Sequence, residues 1–588
     1  MNVRPNGGSD NAKIVCTLGP SSMDRGTVER LADAGMDVAR LNASHGSTAQ
    51  RRELIRTVRN VEDSVGRPLG VLLDIAGPEV RAVASDEGRT LQPGDSVEFT
   101  DAAPTGDQFG LTESIDAVSP GDRLLLDDGR IETTVESVRD DVVTATVDSG
   151  GDLAGRVGVN VPGVDLDLPP VTEADRAELD LAADVGVDFV AASFVRSGAD
   201  VFTISAELEE RDVDVPIIAK IERADAVANA DSIVDAADGV MVARGDLGVE
   251  CPLEDVPIIQ KRLIRKCHRA GVPVITATEM LDSMIHERRP TRAEASDVAN
   301  AVLDGTDAVM LSGETAVGDH PVEVVEMMHR IIADVEGSEE YDEVREQRVP
   351  PADDTRTDAL ARSARYLARD VGASAVVAAS ESGYTALKAA KYRPSIPIVA
   401  ATPSADVRRQ LTLSWGIIPK RVTYTTDSAD ALIQRAVQAA IDTGAAESGD
   451  TVVVLAGMMT ELEGLDTANM LKVHIASERL AAGRSVVAGQ VSGPLHPVGD
   501  GDVDALPAGV VLAVPPSFDG EFEGDLSRIG GIVDGHEGMT GYPALVAREL
   551  DVPMICDAPL PDDVLDGRRV TVDGERGVVY DDPEDAER

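Results

Sequence analysis

A lysine and a glutamate lie two residues apart at the end of a strongly apolar run, Val215-Pro-Ile-Ile-Ala-Lys-Ile-Glu222. In a strand, side chains two positions apart lie on the same face, so Lys220 and Glu222 should point the same way. A lysine in such a run is costly unless its charge meets an anion or a carboxylate. Only eight of the 54 basic residues are lysines, which favours a specific role for Lys220. The alternative is a strand-end lysine whose ammonium group reaches solvent.

Polar residues also end the other apolar runs of the first part of the chain, and each run precedes a helical pattern. Eight strand–helix units in succession predict a (β/α)8 barrel, whose active site would lie at the carboxyl ends of the strands. A doubly wound parallel sheet is the alternative. The predicted strands are Lys13–Pro20, Asp37–Gly46, Leu69–Asp74, Asp188–Phe194, Val215–Glu222, Gly239–Asp246, Val272–Glu279 and Asp307–Glu314.

The residue types at these strand ends predict phosphoryl transfer assisted by magnesium. Glu222 and Asp246, predicted on adjacent strands, offer the oxygen ligands that Mg²⁺ prefers. Lys220, Arg40 and Arg81 add positive charge, which suits a transferring group whose negative charge spreads over its oxygens. Each pair taken singly is more simply a structural ion pair, but the whole set favours function.

Two further features of the strand ends suit ligands of this reaction. The stretch Gly245-Asp246-Leu247-Gly248 offers backbone N–H groups that could surround a phosphate. Asn42, Ser44 and Asp74 are oxygen ligands with a single charge among them. Such a set predicts a second hard cation, and the single charge of the set is compatible with a monovalent one.

The turn signals and the breaks in periodicity predict four domains. Residues 83–160 carry short alternating segments separated by Gly-Asp, Asp-Gly and Gly-Gly turns, which predict an inserted all-β domain. The barrel would therefore comprise residues 1–82 and 161–345, followed by an α/β domain at 346–475 and a small domain at 476–588. In the α/β domain, the loop Ser380–Ala386 joins a strand to a helix and predicts either an anion site or a simple helix cap.

The net charge of −51 argues against binding nucleic acid or an anionic membrane. Aromatic residues are only 3% of the chain and arginine nearly replaces lysine, so we hypothesise a protein of an extreme halophile, working in concentrated salt. No apolar run is long enough to span a bilayer, and no signal peptide is apparent. Four scattered cysteines predict a reduced, cytoplasmic protein.

Taken together, the motifs of residues 10 to 475 resemble the pyruvate kinase family. The matching stretches are Lys13–Ser22, Ala39–Gly46, Gly77–Arg81, Gly158–Gly163, Ala192–Arg196, Ile218–Glu222, Met241–Gly248, Thr276–Met280, Leu311–Ala316, Ser382-Gly, Tyr392-Arg-Pro, Trp415-Gly and Leu471-Lys-Val473. The resemblance implies that phosphoenolpyruvate and ADP give pyruvate and ATP. It also implies a TIM barrel with an inserted β-barrel lid that excludes water, and a homotetramer.

The resemblance implies a role for each matching residue. Mg²⁺ would be held by Glu222 and Asp246, while Lys220 would stabilise the phosphoryl group in flight. The remaining sets are as follows: phosphoenolpyruvate at Arg40, Lys220, Gly245, Asp246 and Thr278; nucleotide at Arg40, Asn42, His45, Arg81 and Arg156; K⁺ at Asn42, Ser44, Asp74 and the Ile75 carbonyl; a phosphorylated effector at Ser380, Ser382, Gly383 and Thr385.

The chain departs from the family pattern at two lysines. The usual Asp-Thr-Lys-Gly-Pro is Asp74-Ile-Ala-Gly-Pro78, and the lysine before Gly-Val-Asn is Val157. The second lysine commonly contacts nucleotide phosphates, and Arg156 is the candidate replacement. Glu79 matches the form associated with dependence on K⁺.

The tail resembles the phosphohistidine swivelling domain of enzymes that use phosphoenolpyruvate. The match is Glu537–Tyr542, followed by Ala547–Pro553 and Val570–Gly574, with Tyr542 at the position of the nucleophilic histidine. Phosphate relay is therefore not expected here, and His536 has the wrong spacing to replace it. We expect a structural or regulatory role for this domain.

Two other functions compete with that of the pyruvate kinase family on the sequence alone. A Mg²⁺-dependent enolate lyase or aldolase on a similar barrel would need neither the inserted domain nor the arginine pair. A binding protein that has lost activity is disfavoured by the complete set of Lys220, Glu222 and Asp246.

Overall fold

The structure is a computed structural model that describes residues 10–82, 89–104, 108–139, 141–153, 157–423, 429–457, 468–561 and 567–582. The chain divides into two compact units. The first comprises Met1–Asp354, Ser382–Ser395 and Ser404–Pro419; the second comprises Thr355–Glu381, Ile396–Pro403 and Lys420–Arg588.

The first unit begins with three parallel strands separated by two capped helices. These are β1 (Lys13–Thr17), α1 (Arg25–Ala34), β2 (Val38–Asn42), α2 (Thr48–Val65) and β3 (Gly70–Ile75). The side chains of Asp24 and Ser47 accept backbone N–H groups at the starts of α1 and α2, satisfying donors that a helix leaves free.

Short strands follow in the described residues between 89 and 160, where the turn signals predicted an inserted all-β domain. They are β4 (Arg89–Leu91), β5 (Ser96–Thr100), β6 (Phe109–Gly110), β7 (Arg123–Leu126), β8 (Ile131–Arg139), β9 (Val142–Ser149), β10 (Gly151–Leu153) and β11 (Val159–Asn160). Six of them form a sheet in the order β11-β7-β8-β9-β5-β6, and β4 pairs with β10. Alternation along β8 and β9 buries one face around Phe99, Leu126 and Val135.

Helix and strand then alternate to the end of the barrel. The elements are α3 (Glu173–Val185), β12 (Phe189–Ala192), α4 (Gly198–Glu209), β13 (Ile217–Ile221), α5 (Ala224–Ala228), α6 (Ala230–Ala236), β14 (Gly239–Ala243), α7 (Arg244–Glu250), α8 (Val256–Ala270), β15 (Val274–Ala277), α9 (Arg292–Asp304), β16 (Ala308–Leu311), α10 (Gly313–Ala316), α11 (Pro321–Glu336) and α12 (Glu339–Gln347).

The eight parallel strands close into a barrel in the order β1-β16-β15-β14-β13-β12-β3-β2. This confirms the (β/α)8 prediction and excludes the doubly wound sheet. The strands read as continuous apolar runs because both faces are covered: one face packs inside the barrel around Leu72, Met241 and Ile275, and the other packs against the helices.

The predicted strands extended past the ends of the observed strands. Asp246 was expected on a strand, but β14 stops at Ala243 and Asp246 lies in the first turn of α7. Glu222 directly follows β13, and Thr278 directly follows β15. Pairing between neighbours stops at these positions, so the polar residues occupy loops and a short helix at the barrel mouth instead of strand positions.

The chain beyond the barrel builds a second sheet. Its elements are α13 (Arg356–Asp370), β17 (Ala375–Ala379), α14 (Tyr384–Lys391), β18 (Ile398–Thr402), α15 (Ala405–Gln410), β19 (Ile417–Arg421), α16 (Ala429–Asp442), β20 (Thr451–Ala456) and β21 (Met470–Ile475). The strand order is β19-β18-β17-β20-β21, with β21 antiparallel to β20.

The last segment forms its own sheet, in the order β22-β29-β28-β24-β25-β26-β27-β23. Its elements are β22 (Arg479–Ala482), β23 (Arg484–Val487), β24 (Gln490–Pro497), β25 (Val510–Val514), β26 (Ile529–Asp534), α17 (Tyr542–Leu550), β27 (Met554–Cys556), β28 (Arg569–Asp573) and β29 (Val578–Asp581). Across the parts of the chain that the structure describes, no helix has the length and apolar character needed to cross a membrane.

Candidate active site

Lys220 lies at the centre of the barrel mouth and is surrounded by oxygen atoms. Its Nζ lies 2.8 Å from Oε1 of Glu222 and 3.3 Å from Oδ1 of Asp74, and it donates a hydrogen bond of 2.8 Å to Oγ of Ser193. Burial opposes the charge, but the carboxylates of Asp74 and Glu222 outweigh it and raise the pKa of Lys220. The ammonium group is therefore charged at neutral pH, and it points the same way as Glu222, as predicted.

Arg40 is held beside this cluster by two groups from neighbouring strands. Its Nε donates to Oδ2 of Asp74 at 2.7 Å, and its Nη1 donates to Oγ1 of Thr17 at 2.9 Å. Although Asp74 is buried, Lys220 and Arg40 together lower its pKa. One aspartate thus fixes two cations at the mouth, which keeps both side chains oriented before any ligand binds.

Glu222 and Asp246, the two carboxylates predicted to act together, both lie at the barrel mouth, where the charge of Glu222 acts on Asp246. Oε2 of Glu222 accepts the backbone N–H of Phe194 at 2.7 Å, and Phe194 has a φ of 57°, a conformation that is uncommon outside glycine. Burial, followed by repulsion from Glu222, raises the pKa of Asp246 to about 7. Two acids whose charges repel in a sheltered site suit a divalent cation with hard oxygen ligands, so this donor set fits Mg²⁺.

Thr278 and Gly245 are joined at the barrel mouth by a hydrogen bond. Oγ1 of Thr278 accepts the backbone N–H of Gly245 at 2.7 Å. Thr278 and Glu279 have φ values of 67° and 54°, which costs about 1–3 kcal/mol per residue unless the surroundings hold them. Arg244 supplies that restraint, since its Nη2 donates to the Thr278 carbonyl at 2.7 Å and its Nη1 contacts Asp297 at 2.6 Å.

Arg81 is paired with Glu79, two residues earlier, at the entry to the inserted sheet. Nη2 and Nε of Arg81 lie 2.6 and 2.9 Å from Oε2 of Glu79. Burial is the largest cause that raises the pKa of Glu79, while Arg81 opposes it and the charge of Glu222 adds to it. Because the charge of Glu222 acts on the pKa of Glu79, the Arg81–Glu79 pair is electrostatically coupled to the carboxylates of the barrel mouth.

Of the residues predicted to hold a second cation, Asn42 ends β2, Asp74 and Ile75 lie on β3, and Ser44 lies in the turn that follows β2. Asn42 pairs in register with Asp74, and Oδ1 of Asn42 accepts the backbone N–H of Ser44 at 3.0 Å. The Ile75 carbonyl accepts Oγ–H of Ser193 at 2.8 Å. Nδ1 of His45 lies 3.4 Å from Nδ2 of Asn42 on an exposed loop.

Sequence reasoning assigned no role to Ser193 or Arg244, although both were recognised as polar strand ends. Ser193 connects Lys220 to the Ile75 carbonyl, and Arg244 connects Thr278 to Asp297. The available signal was their position directly after strands β12 and β14. Position alone does not tell which of several polar residues makes the connecting contacts.

Other predicted residues lie elsewhere in the chain. Arg156 falls outside the described residues. Ser380 follows β17, and Ser382, Gly383 and Thr385 lie at the start of α14. Gly383 has a φ of 83°, and Oγ of Ser382 accepts the backbone N–H of Tyr384 at 3.4 Å, which is the geometry of a helix start.

Tyr542 starts α17 in the last domain and is packed by its neighbours. Its ring meets Phe522 edge-on, with centroids 5.4 Å apart, and its hydroxyl lies 3.3 Å from the backbone N and 3.4 Å from the carbonyl O of Phe522. Nδ1 of His536 lies 2.7 Å from Oδ1 of Asp534. Tyr542 therefore packs against Phe522, at the position where the resembled domain carries its nucleophilic histidine.

A charged lysine and a buried arginine, both held by carboxylates at the mouth of a (β/α)8 barrel, are the arrangement expected of a phosphotransferase of the barrel class. The chain belongs to the pyruvate kinase family. The family description "Pyruvate kinase, barrel domain" matches residues 9–325, "Pyruvate kinase, alpha/beta domain" matches 358–474, and "PEP-utilising enzyme, mobile domain" matches 506–577.

Individual relatives agree over nearly the whole chain. It is 41% identical over 580 residues to a pyruvate kinase of Geobacillus stearothermophilus, covering 97% of this chain and 98% of that protein. Identity to the pyruvate kinase of Bacillus licheniformis is 40% with the same coverage. The crystal structure of a pyruvate kinase from Cryptosporidium parvum is similar, with a TM-score of 0.74, 35% identity, and coverage of 79% of this chain and 96% of that one.

Proposed function

We propose that this protein transfers the phosphoryl group of phosphoenolpyruvate to ADP, giving pyruvate and ATP. The observation that carries the proposal is the position of the Lys220 ammonium group, 2.8 Å from Glu222 and 3.3 Å from Asp74. A fixed positive charge there stabilises the charge that spreads over the phosphoryl oxygens as they move between donor and acceptor.

The other residues of the mouth bind and orient the two substrates. Arg40, whose guanidinium group is fixed by Asp74 and Thr17, holds a phosphate. Gly245 and Thr278 contact phosphoenolpyruvate. Glu222 and Asp246 hold Mg²⁺, which neutralises phosphate charge and aligns the reacting oxygens when it is bound.

The finer assignments are also part of this proposal. K⁺ binds at Asn42, Ser44, Asp74 and the Ile75 carbonyl, and the nucleotide is contacted by Arg40, Asn42, His45, Arg81 and Arg156. A phosphorylated effector binds at Ser380, Ser382, Gly383 and Thr385. The inserted domain of residues 83–160 acts as a lid on the barrel of 1–82 and 161–345, and domains 346–475 and 476–588 follow. The protein is a cytoplasmic homotetramer.

The excess of acidic residues, with a net charge of −51, supports the further proposal that the protein works in concentrated salt. Screening by salt reduces the repulsion among these charges, so the assay is run in high KCl. Stable folding in dilute buffer without salt or ligand would count against this part.

A coupled assay for ATP formation from phosphoenolpyruvate and ADP, with Mg²⁺ in high KCl, tests the proposed reaction. The unaltered protein should form ATP, and Lys220→Ala should lose at least about 10²-fold in kcat, because a positioned group that stabilises charge has been removed. Lys266→Ala, which alters a surface lysine paired with Asp231, is the matched control and should retain activity. Absence of ATP formation by the unaltered protein would reject the proposal and favour the lyase or the inactive binding protein.

Arg156 is tested by its effect on one substrate alone. Arg156→Ala should raise the KM for ADP and leave the KM for phosphoenolpyruvate nearly unchanged, because the residue would contact only nucleotide phosphates. Equal effects on both KM values would show that Arg156 does not replace the missing lysine.

A further inference from the structure

A buried ion pair, Arg51 with Glu178, joins helix α2 to helix α3 in the barrel unit. Nε of Arg51 donates to Oε2 of Glu178 at 2.7 Å, and Nη2 donates to Oε1 at 2.6 Å, so the two side chains are joined by two parallel hydrogen bonds. Only 6% of Arg51 and 5% of Glu178 is exposed. Two charges buried in this way are costly unless their hydrogen-bonding groups are satisfied.

The third nitrogen of the Arg51 guanidinium group binds the loop that follows β2. Nη1 of Arg51 donates to the His45 carbonyl at 2.6 Å. Thr48, in the first turn of α2, completes the cluster, since its Oγ1 donates to Oε1 of Glu178 at 2.5 Å. Each nitrogen of the guanidinium group therefore has an oxygen partner, and one of these partners belongs to the backbone of the loop.

This loop, residues 42–46, carries side chains that we propose as ligands of K⁺ and of the nucleotide. Within the loop, Oδ1 of Asn42 accepts the backbone N–H of Ser44 at 3.0 Å, and the Asn42 carbonyl accepts the backbone N–H of His45 at 3.3 Å. Ser44, His45 and Gly46 are exposed. The hydrogen bond from Arg51 therefore ties an exposed loop to a buried group on the neighbouring helix.

The same face of α3 holds the loop that follows β3. Asp175 lies one turn before Glu178, so the two side chains are neighbours on the helix surface. Oδ1 of Asp175 accepts the backbone N–H of Gly77 at 3.2 Å, two residues after Ile75, whose carbonyl is a proposed K⁺ ligand. Helix α3 therefore anchors both loops that carry proposed K⁺ ligands, one of them through Arg51.

We propose that Arg51, oriented by Glu178, is a positioning residue for the nucleotide and K⁺ sites. It fixes the His45 carbonyl, and with it the loop 42–46, before the ligands bind, which lowers the cost of ordering the loop. Arg51 acts through the loop, because its own nitrogens are bound to Glu178 and His45. This inference rests on the proposed function, which assigns Asn42, Ser44 and His45 to these ligands.

The main test is Arg51→Lys in the full chain. Lysine keeps a positive charge beside Glu178, but its single ammonium group lacks the planar fork that reaches the carboxylate and the His45 carbonyl together. The KM for ADP should rise about 10-fold, because a hydrogen bond from a charged group to the loop is lost. The K⁺ concentration that gives half-maximal activity should also rise, with total chloride kept constant by tetramethylammonium chloride. The KM for phosphoenolpyruvate should stay nearly unchanged.

Arg52→Gln is the matched control. Arg52 also joins α2 to α3, through an ion pair of 2.8 Å with Asp184, but this pair is more exposed than that of Arg51. Loss of the Arg52 pair should leave both KM values and the K⁺ requirement unchanged. Calorimetry of ADP binding to the same proteins gives a second measurement that does not depend on turnover, and Arg51→Lys should weaken this binding about 10-fold.

A double variant, Arg51→Met with Glu178→Leu, separates positioning from stability. Apolar side chains of similar size often replace a buried ion pair without loss of stability, so its melting temperature should be close to that of the unaltered protein. The KM for ADP should nevertheless stay raised about 10-fold, because the His45 carbonyl still lacks its donor.

Three results would overturn the proposal. They are an unaltered KM and binding constant for ADP in Arg51→Lys, an equal rise of both KM values, or recovery of ADP affinity together with stability in the double variant. ATP formation by the unaltered protein is measured separately, so failure of this inference would leave the proposed reaction standing. Weakened ADP binding without any ATP formation would reject the reaction and retain the positioning role.

Discussion

The barrel mouth and the start of α17 both match families that handle phosphoenolpyruvate, yet they differ in what the matching position contains. At the mouth, Lys220 has three oxygen partners within 3.3 Å, from Glu222, Asp74 and Ser193. At the start of α17, Tyr542 has an aromatic neighbour and two backbone contacts.

The difference shows how a site keeps or loses its chemistry while the fold is retained. Reactive groups at the mouth are buried, charged and held by partners that would be left uncompensated if any one were lost. At the start of α17 in the last domain, the side chain has only to pack against its neighbours, and an aromatic ring packs there well. A fold can therefore outlast the chemistry of one of its sites.

The largest expected effect is a loss of activity on changing a carboxylate at the barrel mouth. Glu222→Gln should lower kcat by about 10²-fold or more, because it removes a proposed Mg²⁺ ligand and the partner of Lys220. The ATP-forming assay over a range of Mg²⁺ concentrations measures this, with Glu207→Gln on an outer helix as the control. Full activity with an unchanged Mg²⁺ requirement would show that Glu222 is not part of the reaction.

A smaller effect should follow from loosening the support of Thr278. Arg244→Gln should raise the KM for phosphoenolpyruvate by about 10-fold and leave the KM for ADP unchanged, because the strained turn at Thr278 and Glu279 loses its restraint. Arg262→Gln, an exposed arginine on α8, is the control. Equal changes in both KM values would indicate a general loss of structure instead of a positioning role.

The third prediction concerns His268, a half-buried histidine of the barrel unit. Burial, followed by the charge of Arg393, lowers the pKa of His268 to about 3, and the ring contacts the Lys391 carbonyl at 2.8 Å. The unfolded chain takes up a proton near pH 6.5 and the folded chain does not. The free energy of unfolding should therefore fall by up to about 1.4 kcal/mol per pH unit as the pH drops below 6.5.

Denaturant unfolding at pH 6.5 and pH 5 measures this dependence at constant KCl. The variant His268→Gln should reduce it, whereas His286→Gln, at a largely exposed histidine, should not. The same slope in the His268 variant and the unaltered protein would reject the assignment.

The smallest effect belongs to the last domain. Tyr542→Phe should reduce the free energy of unfolding of this domain by about 1 kcal/mol, because the hydroxyl loses its hydrogen bonds to the Phe522 backbone. ATP formation should be unchanged, and incubation with labelled phosphoenolpyruvate should label neither residue 542 nor His536. Labelling of His536 would show that the last domain also carries a phosphoryl group, and it would remove the contrast between the two regions.

Much of the fold and part of the site could be predicted from the sequence. Continuous apolar runs separated by helical patterns predicted parallel strands buried on both faces, in a (β/α)8 barrel or a doubly wound sheet, and closure of the strands decided for the barrel. The two-residue spacing of Lys220 and Glu222 placed them on one side. The position of Asp246 was predicted less well, because the end of β14 depends on its neighbours and not on local residue preference.

The amino-acid sequence by itself determined the family, the order of the elements and the residue types available for chemistry, because these depend on local pattern and motif. Only the tertiary structure decided which partners each charge has: that Asp74 holds both Arg40 and Lys220, and that Ser193 and Arg244 support the site. Such contacts join residues far apart in the chain, and their distances are set by how the strands pack.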